Sequence, residues 1–208
     1  MSEQREIKIN VPVLARVEGE GALDLEIRNG RIEHLQLRIF EPPRLFEKFL
    51  EGRSYTEVPD IVARICGICP VAYQMSAGHA IESAFGINHG PWVRKMRRLF
   101  YCGEWMESHA LHIHLLAAPD FLGFSSGIEM AEKYPEEVRR GLRLQGLGNR
   151  IVRTLGGRSV HPVGACIGGF FHAPAKSVMD ELLAECRELL PEAEALVHLF
   201  EGGAGDWD

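Results

Sequence analysis

The residues best suited to chemistry lie in the segment RICGICP, positions 64 to 70. Cys66 and Cys69 stand at C-x-x-C spacing around Gly67 and Ile68. The thiolate form of cysteine binds metal, and nearby positive charge stabilises it. Arg64 precedes the pair. Pro70 suits the first turn of a helix. A helix opening there sets Cys69 at its N-terminus, where unpaired N–H groups favour an anion. Gly67 permits a tight backbone path between the sulfurs. On spacing alone the pair fits zinc, an iron–sulfur cluster or dithiol redox work about equally. A closed zinc site needs a second close pair of Cys or His. A thioredoxin-type motif needs a neighbouring βαβ pattern. Cys102, Cys166 and Cys186 are scattered singly, so the sequence supplies neither.

The elements that must position this pair are legible in the periodicity. ALDLEIRNGRIEHLQLRIF alternates apolar and polar residues on both sides of Asn29-Gly30, the strongest short hairpin signal. Leu23, Leu25 and Ile27 share one phase. Ile32, Leu35, Leu37 and Ile39 follow the turn, with a phase slip near His34 that predicts a bulge. PPRLFEKFLEGR predicts a short helix opening at Pro43. Helical spacing dominates from residue 70 onward. It predicts helices from Pro70 to about Phe85, from Pro91 to about Ala117 with Pro119 as the stop, and from Pro135 to Leu155, closed by Gly156-Gly157. A last helix follows Pro174, with a break or kink at Pro191. The expected fold is α+β and helix-dominated: an N-terminal β-hairpin layer (1–55), then a bundle of long helices (56–208). The Gly-rich EGGAGDWD ending reads as a truncation or the start of a linker.

The totals narrow the function classes. The chain has 208 residues, 46% of them hydrophobic and 25% charged, which suits a globular protein with a sizeable core. A net charge of -6 argues against nucleic acid as a partner. No apolar run is long enough for a membrane span. The N-terminus lacks the pattern of a signal peptide. Five cysteines, an odd number, speak against a disulfide framework and for a reducing, cytoplasmic setting.

EVPDIVARICGICPVAYQMSA (57–77) resembles the N-terminal signature of the large subunit of nickel–iron hydrogenases, R-x-C-G-x-C-x-x-x-H. Four other segments agree in order and spacing: RVEGEG (16–21), RIFEPPRLFEKFLEGR (38–53), SHALHIHLLAAPDFLGF (108–124) and GGRSVHPVGACIGG (156–169). The wording CGICPVAYQ looks most like the cytoplasmic bidirectional group that couples to NAD(P). The resemblance implies one nickel and one iron held by four thiolates, two of them from a C-terminal D-P-C-x-x-C, with CO and cyanide on the iron. Cys66 would bind nickel alone and Cys69 would bridge nickel and iron, a role that soft thiolates suit. The implied reaction is reversible, heterolytic oxidation of H2. Glu18, in RVEGEG, would take the proton away. Glu41, in RIFEPP, would help bind a structural magnesium. Electrons would pass to iron–sulfur clusters in a partner small subunit, near which His161 would lie, and on to NAD(P)-binding diaphorase subunits.

Without the resemblance these residues read more plainly. Glu18 is a solvated glutamate at a strand end, Glu41 a turn residue before two prolines, and His161 a structural histidine. His109, His112 and His114 cluster on one helix, where His109 and His112 share a face; polar-face or core histidines are the plainer reading. RKMRR (94–98) is a solvated face or a subunit contact.

The sequence departs from the family pattern twice. Tyr73 replaces the motif histidine, which would hydrogen-bond a bridging thiolate; a tyrosine can still donate one such bond. No D-P-C-x-x-C and no other C-x-x-C occurs. The chain is therefore expected to hold half of a nickel–iron site and not to turn over hydrogen alone. Two rival readings remain. One is a non-catalytic relative, like the complex I subunit that lost its metals and serves in quinone binding; retention of Cys66 and Cys69 weighs against it. The other is a plain zinc or redox C-x-x-C protein, against which the four further segments weigh.

Overall fold

The computed structural model describes residues 5–14, 17 and 19–201. The chain divides into two compact units, Met1–Leu45 and Phe46–Asp208. It is α+β and helix-dominated, as the periodicity predicts.

The first unit is a three-stranded antiparallel sheet of β1 (Glu6–Val11), β2 (Gly21–Arg28) and β3 (Arg31–Ile39), in that order. Asn29 (φ 51) and Gly30 (φ 78) both take the left-handed conformation that a two-residue hairpin turn requires. The predicted bulge is present. Ile27 pairs with Ile32 and Glu26 with His34, which leaves Glu33 as the extra residue. The bulge keeps Ile32, Leu35 and Leu37 opposite Ile27, Leu25 and Leu23, so one face of the sheet is apolar throughout. The other face carries ion pairs such as Arg38–Asp24 at 3.0 Å.

The second unit is built on helices α1 (Phe46–Leu50), α2 (Val58–Val62), α3 (Pro70–Phe85), α4 (Pro91–Leu111), α5 (Ala118–Phe121), α6 (Gly127–Lys133), α7 (Pro135–Gly156) and α8 (Lys176–Glu201). A small hairpin of β4 (Ala165–Cys166) and β5 (Gly169–Phe170) interrupts them before α8. α3 ends at Gly86 (φ 67) and α7 at Gly157 (φ 79), both left-handed caps that a glycine adopts without strain. The core gathers Val71 and Met75 of α3, Phe100 of α4, Leu147, Ile151 and Val152 of α7, and Leu182 and Leu189 of α8. α4 and α7 lie backbone to backbone. A Cβ on Gly148 would sit 2.5 Å from the Glu107 nitrogen and 2.6 Å from the Gly103 oxygen.

Three boundaries differ from expectation, each of them at or near a proline. Pro119 does not stop the fourth helix. The chain widens into a π-helical segment (His112–Ala117), then re-enters α-helix with Pro119 in the first turn of α5. The wider turn accommodates a residue without an N–H. Pro191 does not break α8. Pro191 and Arg187, whose carbonyl loses its partner, are both exposed, so water can serve that oxygen. α1 opens at Phe46 rather than Pro43, because Leu45 takes a left-handed φ of 52. Among the described residues, no helix is long and apolar enough to cross a membrane.

Candidate metal centre

The cysteine pair sits where one short helical stretch ends and a long helix begins. α2 passes into a 3-10 turn (Ala63–Ile65), and the backbone then extends at Cys66 (φ −142, ψ 139). Cys69 is the N-cap of α3, followed by Pro70 in its first turn. The chain between them folds back so that the N–H groups of Ile68 and Cys69 donate to the Cys66 sulfur, at 3.4 and 3.2 Å. Such donors support negative charge on sulfur. Both cysteines are half-buried and neither is in a disulfide. Gly67 stays outside the left-handed region, and the nearest atom to a Cβ position there, Val160 Cγ1, lies 4.0 Å away, so neither backbone conformation nor space demands a glycine at this point. Tyr73 lies one helical turn beyond Cys69 and is 37% exposed.

Two distant segments fix this turn. From α4, the Glu104 carboxylate accepts the Val71 N–H at 2.5 Å and the Ala72 N–H at 3.1 Å. From the GGRSVHP loop, the Pro162 carbonyl accepts from Gln74 of α3 at 2.5 Å. The His161 Nδ1 lies 2.7 Å from the Ala63 carbonyl, just ahead of Cys66. His161 takes a left-handed φ of 48, and Arg158 donates to its carbonyl at 2.6 Å. The loop expected near a partner thus also braces the cysteine turn from behind. Exposed Arg64 has a carboxylate nearby: burial raises the Asp60 carboxyl, and the positive charges of Arg158 and Arg64 oppose that rise.

Glu104 and Glu107 were not singled out by sequence reasoning. Both are buried, at 3% and 7% exposure. Burial pushes the Glu104 carboxyl up to about 7 against the pull of its two backbone donors. Burial, with the Glu104 charge adding to it, pushes Glu107 up to about 7. Glu107 Oε2 makes no hydrogen bond. The signal was available: both glutamates fall in the helical phase of Phe100, at its i+4 and i+7 positions, where an apolar residue is the rule.

The other candidates are placed as follows. Glu18 lies outside the described residues. Glu41 belongs to the sheet unit and is exposed, and its carboxylate covers Gly19. Its Oε1 lies 3.0 Å from the position a Gly19 Cβ would take, so a glycine (φ 83) is what admits it there. The three histidines of the fourth helix diverge. His114 is buried against Gly141, and burial chiefly lowers its pKa. His112 is exposed, and His109 borders an apolar cleft of about 400 Å³ with Trp105, Met106, Ile113 and Leu144. These are core and surface histidines. Among the described residues one trio of potential ligands converges: His79, Glu82 and His89, whose ligand atoms lie within 4.8 Å of one another. Glu82 is already committed. It accepts from Arg97 at 2.7 and 2.6 Å and from the Gly168 N–H at 2.7 Å. The Arg97 guanidinium supplies the positive charge that a cation would otherwise bring, so this trio reads as a buried ion pair.

Comparison with known proteins covers the segment that carries the cysteine turn. A family model described as nickel-dependent hydrogenase matches residues 44–140. The alpha subunit of sulfhydrogenase 2 from Pyrococcus furiosus is 38% identical over 192 residues, covering 92% of this chain and 47% of that protein. The vhu-type F420-non-reducing hydrogenase of Methanocaldococcus jannaschii has a matching polypeptide that is 34% identical, covering 93% and 48% respectively. The fold matches a crystal structure of an NAD+-reducing NiFe-hydrogenase in the H2-reduced state with a TM-score of 0.83 at 32% identity, over 97% of this chain and 46% of that one. The chain spans about half the length of the curated relatives it matches.

Proposed function

We propose, since this chain belongs to the nickel-dependent hydrogenase family and corresponds to the N-terminal half of a large subunit, that Cys66 and Cys69 supply two of the four thiolates of a nickel–iron centre. The assembled protein would then oxidise H2 reversibly. The observation that carries this reading is the cysteine turn. Two half-buried sulfurs lie at the start of α3, and the Cys66 sulfur receives two backbone N–H groups. A soft donor pair of this kind fits nickel and iron. In the roles carried over from the family, Cys66 would hold nickel and Cys69 would be a ligand shared by nickel and iron. When bound, the metals would act as the Lewis acid that polarises H2. Glu18 is the proposed proton acceptor, since a carboxylate can carry a proton away from the reacting centre. Glu41 is proposed as one oxygen ligand of a structural magnesium. CO and cyanide on the iron belong to the same reading.

The remaining two thiolates would come from a C-terminal D-P-C-x-x-C supplied outside these 208 residues. The proposed partners are a small subunit that carries iron–sulfur clusters and a diaphorase module that passes electrons to NAD(P). The resemblance to an NAD+-reducing hydrogenase supports that acceptor and, with it, a cytoplasmic setting.

The test is metal analysis of the complex purified from its native host with its co-purifying subunits. About one nickel and one iron per chain are expected, as one binuclear centre requires, with both lost in Cys66→Ser and Cys69→Ser. Zinc or iron without nickel in the wild-type complex would overturn the proposal.

A further inference from the structure

We infer that Glu104 is a positioning residue for the Cys69 sulfur: it caps α3 from a neighbouring helix so that the cysteine does not have to. The inference rests on the reading of Cys66 and Cys69 as metal ligands. An N-cap side chain ordinarily accepts the N–H of the second or third helical residue. In α3 the first residue is Pro70, which has no N–H, and the next two are Val71 and Ala72. Both of their N–H groups go to Glu104, one to each carboxylate oxygen, at 2.5 and 3.1 Å. The N-cap, Cys69, makes no capping hydrogen bond with its side chain.

Two consequences follow for the sulfur. Its lone pairs are not drawn into the helix end, which would turn it away from a metal held between the two cysteines. The positive end of the helix is also met by a carboxylate, so the sulfur is left as a stronger electron donor. Glu104 can serve as such an anchor because its own helix is fixed. It lies next to Gly103 and one turn before Glu107, the two α4 residues whose backbones touch Gly148 of α7. An anchor built into a close helix–helix contact holds the start of α3 more firmly than a surface side chain would.

The experiment is an anaerobic titration of the full chain with cobalt(II), read by its thiolate-to-metal charge-transfer band. Wild type should show the band, and Cys66→Ser and Cys69→Ser should lose it. Glu104→Ala hands the two N–H groups back to Cys69, and cobalt affinity should fall roughly tenfold, the worth of one charge-assisted hydrogen bond. The charge-transfer band should also shift, because the ligand geometry changes. Glu104→Gln keeps one acceptor oxygen in the same shape and should recover part of the affinity. Helix content by circular dichroism should match wild type in both. If the alanine variant loses helix content, the glutamine variant carries the test, and wild-type affinity and band position in it overturn the inference. The same result in a folded alanine variant overturns it too. A wild-type chain with no thiolate band overturns the inference, because a turn held ready for metal should bind cobalt with its own two sulfurs; the ligand reading then stands or falls separately on the nickel content of the assembled complex. A normal wild-type band that is indifferent to Glu104 fails only the positioning role.

Discussion

Replacing Glu107 by Gln should remove a pH-dependent penalty on stability. Glu107 is 7% exposed, and one of its carboxylate oxygens makes no hydrogen bond. Burial and the charge of Glu104 raise its carboxyl from 4.5 to about 7. The folded state therefore holds this proton where the unfolded state has lost it. Stability from the group is fully present below 4.5 and is lost as pH rises to about 7. At about 1.4 kcal/mol per pH unit, that range stands for about 3 kcal/mol. Glutamine has the same shape and no charge. The variant should match wild type near the acid end and exceed it by about 3 kcal/mol above neutrality. The assay is urea unfolding of both proteins at intervals from about pH 5 to about pH 8.5, across which the linked proton is released. The difference between the two curves isolates Glu107. His79 and His114, whose pKa values burial lowers, act with the opposite sign below 6.5, and they are present in both proteins. Glu104 shares the sign of Glu107 and is likewise common to both. A difference that stays constant across the range, or that favours wild type at high pH, would refute the assignment of a buried, protonated Glu107.

Other substitutions test the packing around the site. Gly148→Ala places a methyl carbon 2.5 Å from the Glu107 nitrogen; backbone cannot yield as a side chain can, so a loss of at least about 2 kcal/mol is expected in thermal unfolding. Arg97→Met strands the Glu82 carboxylate, whose side chain is 5% exposed, and should cost about 3–5 kcal/mol in denaturant unfolding. Arg97→Met combined with Glu82→Gln should recover much of that. Ser126→Ala removes the hydroxyl that accepts the Glu129 N–H at 3.2 Å at the start of α6 and should cost about 1 kcal/mol.

The sequence is most readable where local chemistry decides. Pro70 and Gly86 bracket α3, and Pro135 and Gly157 bracket α7, because a fixed φ at one end and a left-handed φ at the other are properties of single residues. Asn29-Gly30 decided the hairpin for the same reason. The expected stop at Pro119 and break at Pro191 did not occur because the effect of a proline depends on whether the surroundings can serve an orphaned carbonyl, which no single residue reports. At the site, the cysteine pair was plain from its spacing. The group that caps its helix was not, because Glu104 and Glu107 read as ordinary helix surface unless their phase is checked against Phe100. The brace from His161 was equally hidden, since a contact between the Gly-rich loop and the turn before Cys66 leaves no mark in either segment alone.

The cysteine turn also has a chronology. Glu104, which closes the end of α3, lies 33 residues after the Val71 it binds. Pro162 lies 88 residues after Gln74, and His161 lies 98 residues after Ala63. During synthesis the two sulfurs emerge first, on a turn held only by its own N–H groups to the Cys66 sulfur. These three braces can be added only after residues 104, 161 and 162 have been made and have folded back onto it. Contacts of such long sequence separation form late. The cysteines thus exist in the growing chain before the groups that brace them, and anything that engages the turn earlier meets it without those braces.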